Sequence, residues 1–190
     1  MQHARTIAIP TLAALLLATT AACLTSTPTV STQAAPASGA SSSTALAASS
    51  AAPAGLGATI DVTGDSAGEK LAVTLVKVIA SAQGSDQFNT PPAGDVFFAA
   101  QFQIVNIGTV AYSDSPDNCV VAKDAAGQSF QTDVSTIAEG VGFNGTVNLA
   151  PGDKALGYEV FDAPKGDAVT QVQYTPDSGF SSDTAQWTIG

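Results

Sequence analysis

Beyond residue 5 the sequence has no arginine, beyond residue 3 no histidine, and its single methionine is Met1. Each absence removes a class of chemistry. Without histidine there is no Ser-His-Asp or Cys-His centre and no histidine-ligated zinc. Without arginine there is no bidentate clamp for a phosphate. Positive charge is scarce as well: five lysines face sixteen carboxylates, all between Asp61 and Asp183, so that stretch carries a formal charge of −11. No basic surface can neutralise a nucleic-acid backbone or an anionic lipid face, and a nucleic-acid partner is not expected. No cofactor motif is present either. An acidic, secreted, non-enzymatic domain is the reading that remains.

The N-terminus carries an address. After the weakly basic residues 1–5, an uncharged apolar run of 16 residues extends from Ile7 to Ala22, interrupted by Pro10. A membrane-spanning helix needs about 20 apolar residues to cross ~30 Å of hydrocarbon, so this run reads as a signal peptide, residues 1–22. Its end, Thr20-Ala21-Ala22-Cys23, resembles the lipobox of bacterial lipoproteins, in which small residues precede a cysteine that is acylated. Thr20 stands where that pattern usually has leucine. The resemblance implies that Cys23 is the lipidation site and that fatty chains, palmitate among them, anchor the protein in a cell membrane. A diacylglyceryl group supplies the two chains that stable anchoring requires. An ordinary signal peptide, cleaved after one of the alanines at 18–22, is the other reading. With Cys23 acylated, Cys119 has no partner for an internal disulfide. No histidine or lysine flanks Cys119 to lower its pKa, so a small buried hydrophobe is expected there rather than a reactive thiol.

Residues 23–57 follow as the lipidated cysteine and a tether. Of the 34 residues from 24 to 57, 29 are Ala, Ser, Thr, Pro or Gly, and none is charged. Such a segment buries too little apolar surface to offset its ordering entropy and is expected to be disordered, spanning ~30 Å on average. Residues 58–190 then supply one domain's worth of chain. Their apolar period is two: Ile60 and Val62; Leu71, Val73 and Leu75; Val96, Phe98, Ala100, Phe102 and Ile104. Shorter runs lie at 119–122, 128–132, 146–149, 155–161, 169–174 and 185–189. Turn residues punctuate them, and no helical period occurs. This pattern predicts an all-β fold, an antiparallel β-sandwich of about eight strands, with a closed barrel as the alternative.

Certain elements carry a resemblance. They include Asn106-Ile107-Gly108-Thr109, residues 112–117, Leu149-Ala150-Pro151-Gly152-Asp153, residues 157–161 with Pro164, and Asp177-Ser178-Gly179-Phe180. Over nearly all of residues 58–187 the chain is similar to the immunoglobulin-like domain of unknown function found in actinobacterial lipoproteins. That family is related to the mycobacterial immunoprotective extracellular antigen. The resemblance implies an Ig-like sandwich at the cell envelope and implies no activity. Physically, Pro151 and Gly152 suit positions i+1 and i+2 of a type II turn, and Gly108 is expected to serve a chain reversal that needs positive φ.

Three sets of residues are candidates for chemistry. Asp114, Asp117 and Asp124 lie in or near the polar segment 112–118 and could give carboxylate oxygens to a hard cation such as Ca²⁺. Asp114-Ser115-Pro116-Asp117-Asn118 also reads as ordinary turn chemistry, its side chains bonding their own backbone. In the long irregular stretch 81–95, Asp86 and Phe88 are candidates for a loop that meets an unidentified protein or cell-envelope partner; Phe88 either projects as an anchor or folds back on the sandwich. A weak hydrolase built on a carboxylate pair is the remaining alternative, and the density of acids makes such a pair unremarkable by chance.

Overall fold

A continuous apolar run, Val96 to Ala100, sits inside the strongest alternating segment of the chain. In a strand, such continuity means that both faces are covered. A computed structural model describes residues 54–190 and shows this directly. The signal segment, Cys23 and most of the tether lie outside the described residues.

Among the described residues eleven strands occur in chain order: β1 (Thr59–Thr63), β2 (Lys70–Ala82), β3 (Asp95–Asn106), β4 (Tyr112–Asp114), β5 (Val120–Asp124), β6 (Ser129–Phe130), β7 (Thr132–Asp133), β8 (Val147–Leu149), β9 (Lys154–Pro164), β10 (Val169–Tyr174) and β11 (Ala185–Thr188). A 3₁₀ turn covers Pro116–Asn118. One sheet has the order β1-β2-β3-β9-β7 and the other β11-β10-β5-β6; β4 and β8 form a separate two-stranded ribbon. All strand pairs are antiparallel. The fold is an antiparallel β-sandwich rather than a closed barrel.

Two differences from the sequence reading have simple causes. The run at 128–132 is two strands: β6 joins β5 in one sheet and β7 joins β9 in the other, so the chain changes sheets at Gln131. Tyr112–Asp114, at the start of the polar segment and not among the expected strands, is a strand paired with Val147–Leu149. Three residues are too few for a period to register. Ahead of β1, Ala54 bridges Trp187, so the chain meets the sandwich four residues before Ala58.

The main core lies between the sheets. Phe98, Ala100, Phe102 and Ile104 of β3 meet Val172 and Tyr174 of β10 and Trp187 of β11 in one buried cluster. The Phe102 ring lies 6.0 Å from that of Tyr174 and 5.9 Å from that of Trp187, at tilted and edge-on angles. The Trp187 indole N–H donates to Ala58 O at 2.8 Å, so the final strand also fixes the entry of the first. A second cluster covers the outer face of the larger sheet, where Phe97, Ala99, Tyr158 and Val160 pack beneath Ile137.

Asn106 joins three segments at the end of β3. Its side-chain amide donates to Val110 O and Leu149 O at 2.8 and 2.9 Å, and its Oδ1 accepts the Gly108 amide at 2.9 Å. Gly108 has no positive φ. It is glycine because a Cβ there would meet Gly68 O and Lys70 N, a close approach of two backbones. Gly152, by contrast, has φ +91° and follows Pro151, as the type II turn requires.

Phe102→Ala should lower unfolding stability by about 3–5 kcal/mol in a urea titration, because the ring touches both sheets and the cavity left behind cannot collapse.

Candidate functional site

Asp114 ends β4 and carries a dense set of hydrogen bonds. Its Oδ2 accepts the Tyr112 hydroxyl at 3.1 Å, the Cys119 thiol at 3.0 Å and the Ser178 amide at 2.6 Å. Its Oδ1 accepts the Ser115 amide at 2.8 Å and the Ser178 hydroxyl at 2.6 Å. Asp177 and Ser178 adopt left-handed backbone conformations, φ 56° and 54°, which turn the Ser178 amide and hydroxyl onto one carboxylate. Burial opposes the charge of Asp114, but the donors from Ser178, Cys119 and Ser115 outweigh it and hold the pKa below the ordinary carboxylate value. Burial, followed by the hydrogen bond to Asp114, pushes the Cys119 thiol up to about 12. Burial also raises Tyr112. Cys119 is thus the buried small side chain expected at this position, and it is a donor as well.

The three candidate cation ligands serve three different structures. Asp114 is saturated by donors from its own chain. Asp124, at the end of β5, accepts the Gln128 amide at 2.8 Å and closes the turn into β6. Asp117 lies in the 3₁₀ turn, where the shielded Oδ1 has no hydrogen-bond partner. Among the described residues, no three His, Cys, Asp or Glu side chains converge as a metal ion would need.

The loop between β2 and β3, residues 83–94, is organised by Asp86. Its Oδ1 accepts the Phe88 amide at 2.8 Å and the Asn89 side-chain amide at 2.9 Å, and these bonds lower its pKa. Phe88 does not fold back on the sandwich; it is 83% exposed. The loop is joined to the segment after β7 at Thr136. The Ser85 amide donates to Thr136 O at 2.9 Å, and the Thr136 amide donates to Asn89 Oδ1 at 2.8 Å.

That second segment, residues 134–145, shapes a cavity of about 310 Å³ at the β9 edge of the larger sheet. The cause lies in the register. β7 pairs with Phe161 and Val160 of β9, and Gly142 then bridges Tyr158. Between these points the chain leaves the edge, lays Ile137 over the outer face and returns to place Phe143 against the inner core. Gly157 permits that return, since a Cβ there would meet the Phe143 ring at 2.7 Å. The cavity is lined by Ile137, Phe143 and Tyr158, by three acids, Asp117, Asp133 and Glu159, and by polar residues of the 134–145 segment.

Glu159 was not among the residues singled out in the sequence, although a signal existed. On β9 it shares parity with Phe161 and Ala163, which face the main core, and it stands beside Ala100 of β3. An acid therefore occupies a position that the alternation reserves for an apolar side chain. Glu159 is 7% exposed and forms none of the side-chain hydrogen bonds or ion pairs found among the described residues. Burial first, and then the charge of Asp117, raise its pKa from 4.5 to about 8.

The sign of the resulting pH dependence is fixed. Between pH 4.5 and 8 the folded chain keeps a proton on Glu159 that the unfolded chain releases, so stability falls as pH rises through that window. The slope is at most ~1.4 kcal/mol per pH unit and vanishes above the folded pKa. Glu159→Gln should therefore raise the melting temperature more at pH 8 than at pH 5, measured by calorimetry. Asp114→Ala should instead lower stability by at least ~2 kcal/mol at pH 7 in a denaturant titration, since it leaves several donors unpaired.

Among curated proteins, no match to the chain is found. Among solved structures, a secreted protein of Mycobacterium tuberculosis, MPT63, aligns with a TM-score of 0.55 and 18% identity, covering 73% of this chain and 99% of that one. The yjhA protein of Bacillus subtilis aligns with a TM-score of 0.52 and 14% identity, covering 72% of this chain and 99% of its own. At these identities the likeness is one of fold. Residues 63–185, well over half of the chain, match the family model described as Domain of unknown function (DUF4352), and the chain belongs to that family.

Proposed function

We propose that this protein is a lipid-anchored, extracytoplasmic binding module without enzymatic activity. The observation that carries the reading is the pair of joined loops beside the β9 cavity. Residues 83–94 and 134–145 are held together at Thr136, yet they present Phe88, Val134 and Val141 to solvent, 83%, 92% and 72% exposed. Large apolar side chains on hydrogen-bonded loops are the composition of a contact surface with a protein or cell-envelope partner. The location is supported by the signal-like run ending at Cys23 and by the fold shared with MPT63, a protein described as secreted. The non-enzymatic reading rests on composition, since residues 58–190 hold no histidine or arginine.

Labelling cells that express the full chain with radioactive palmitate tests the anchor. The expected result is a labelled protein in the membrane fraction, with Cys23→Ser losing the label and appearing in the medium. An unlabelled wild-type chain, or equal labelling of both, would overturn the lipid anchor. A glycosidase or esterase activity lost on Glu159→Gln would overturn the non-enzymatic reading.

A further inference from the structure

Glu159 is an acid on an inward strand position, 7% exposed and beside Ala100. A mostly buried carboxyl group that no protein group meets costs stability unless a ligand or water in the cavity satisfies it. Natural sandwiches place an apolar residue on an inward strand position, and Phe161 and Ala163 do so on the same strand. Glu159 instead lines the cavity together with Asp117, whose shielded Oδ1 also lacks a partner. Asp133 lines the cavity as well, and among the described residues no lysine does, so its wall offers these three carboxylates no counter-charge.

The remaining walls restrict the ligand. A hard divalent cation takes six to eight oxygens. Here three carboxylates, Asp117, Asp133 and Glu159, share the wall with Ile137, Phe143 and Tyr158, and among the described residues no three such groups converge closely enough to hold a metal ion. A space of about 310 Å³ holds a small ligand or a single side chain. That combination suits a charged nitrogen on a hydrocarbon stem, which gives hydrogen bonds to the acids and buries its methylenes against the apolar walls.

We propose that the β9 cavity binds an alkylammonium group, with its nitrogen between Glu159 and Asp117 and its stem against Ile137 and Phe143. The inference deepens the binding-module reading by naming a ligand class for the site, and its test is independent of membrane anchoring. The groups that face Glu159 define the pH response. Asp117 approaches from the 3₁₀ turn and Asp133 from the end of β7, while β3 contributes the uncharged Ala100. An alkylammonium remains protonated up to about pH 10. Binding should therefore strengthen from pH 6 to pH 9 as Glu159 becomes able to ionise toward it.

The test uses the full chain, ¹⁵N-labelled in detergent solution, titrated with n-butylammonium and with Nα-acetyl-lysine methylamide. Nα-acetyl-norleucine methylamide, which has the stem without the charge, and Ca²⁺ serve as competitors. The expected result is saturable shifts of the Gly142, Phe143 and Glu159 amides with one or both ammonium probes, stronger at pH 8.5 than at pH 6. Glu159→Gln and Asp117→Asn should each weaken binding by about tenfold or more while retaining the wild-type spectrum elsewhere. Binding of the lysine derivative alone would identify a side chain of a partner protein as the source; equal binding of butylammonium would identify a free amine. Absence of saturation with both probes, equal shifts from the norleucine derivative, or displacement of the ammonium by Ca²⁺ at the same residues would overturn the proposal. A palmitate-labelled chain that fails this titration would leave the anchored module standing and remove only its ligand.

Discussion

Strand β3 is hydrogen-bonded along both edges and packed on both faces, and the rest of the sandwich is arranged around that fact. Its register with β2 and β9 is set by which side chains go inward: a one-residue slip would exchange Phe98, Phe102 and Ile104 for Phe97, Gln101 and Gln103. The two glutamines make such a slip costly, whereas Ala99 and Ala100 keep the strand thin where both clusters crowd it. Ala100 also leaves room beside it for Glu159, an acid on the inward face of β9. The same strand thus determines the core, the covering of the outer face by Ile137, and the place where a cavity can open.

Polar junctions tie the periphery to that frame. Asn106 holds the end of β3 to the β4–β8 ribbon, and Asp114 draws the segment around Ser178 onto the same ribbon across 64 residues of sequence. Each satisfies several donors or acceptors that loops would otherwise leave unmade. They occupy the role that disulfides fill in many small extracellular domains. Their charge and orientation demands also make them less forgiving than apolar contacts, since removing one partner strands the others.

The sandwich was legible in the sequence because period-two alternation is a local signal and the turn residues are local too. Pro151-Gly152 did what its chemistry dictates. The grouping of Asp114, Asp117 and Asp124 as ligands was a different kind of inference, drawn from nearness in the chain, and the partners that separate them are distant. Ser178 takes the first, the β9 cavity receives the second, and the third closes a hairpin. Gly108 taught a related lesson: composition suggested a left-handed turn, but the requirement came from a backbone crossing more than 35 residues earlier in the sequence, near Gly68. Glu159 was in principle readable. Phasing the alternation of β9 on Phe161 and Ala163 places an acid on the inner face, an anomaly that the pattern alone exposes.

The thiol of Cys119 has a further consequence. With its proton committed to Asp114 and its pKa near 12, it forms almost no thiolate while the fold is intact, and thiolate is the species that attacks oxidants and disulfides. An exposed free cysteine would ordinarily invite mixed disulfides and crosslinked pairs wherever oxidants are present. Here burial and the bond to Asp114 shield the sulfur, so alkylation of Cys119 is expected to report opening of the fold around the start of β5.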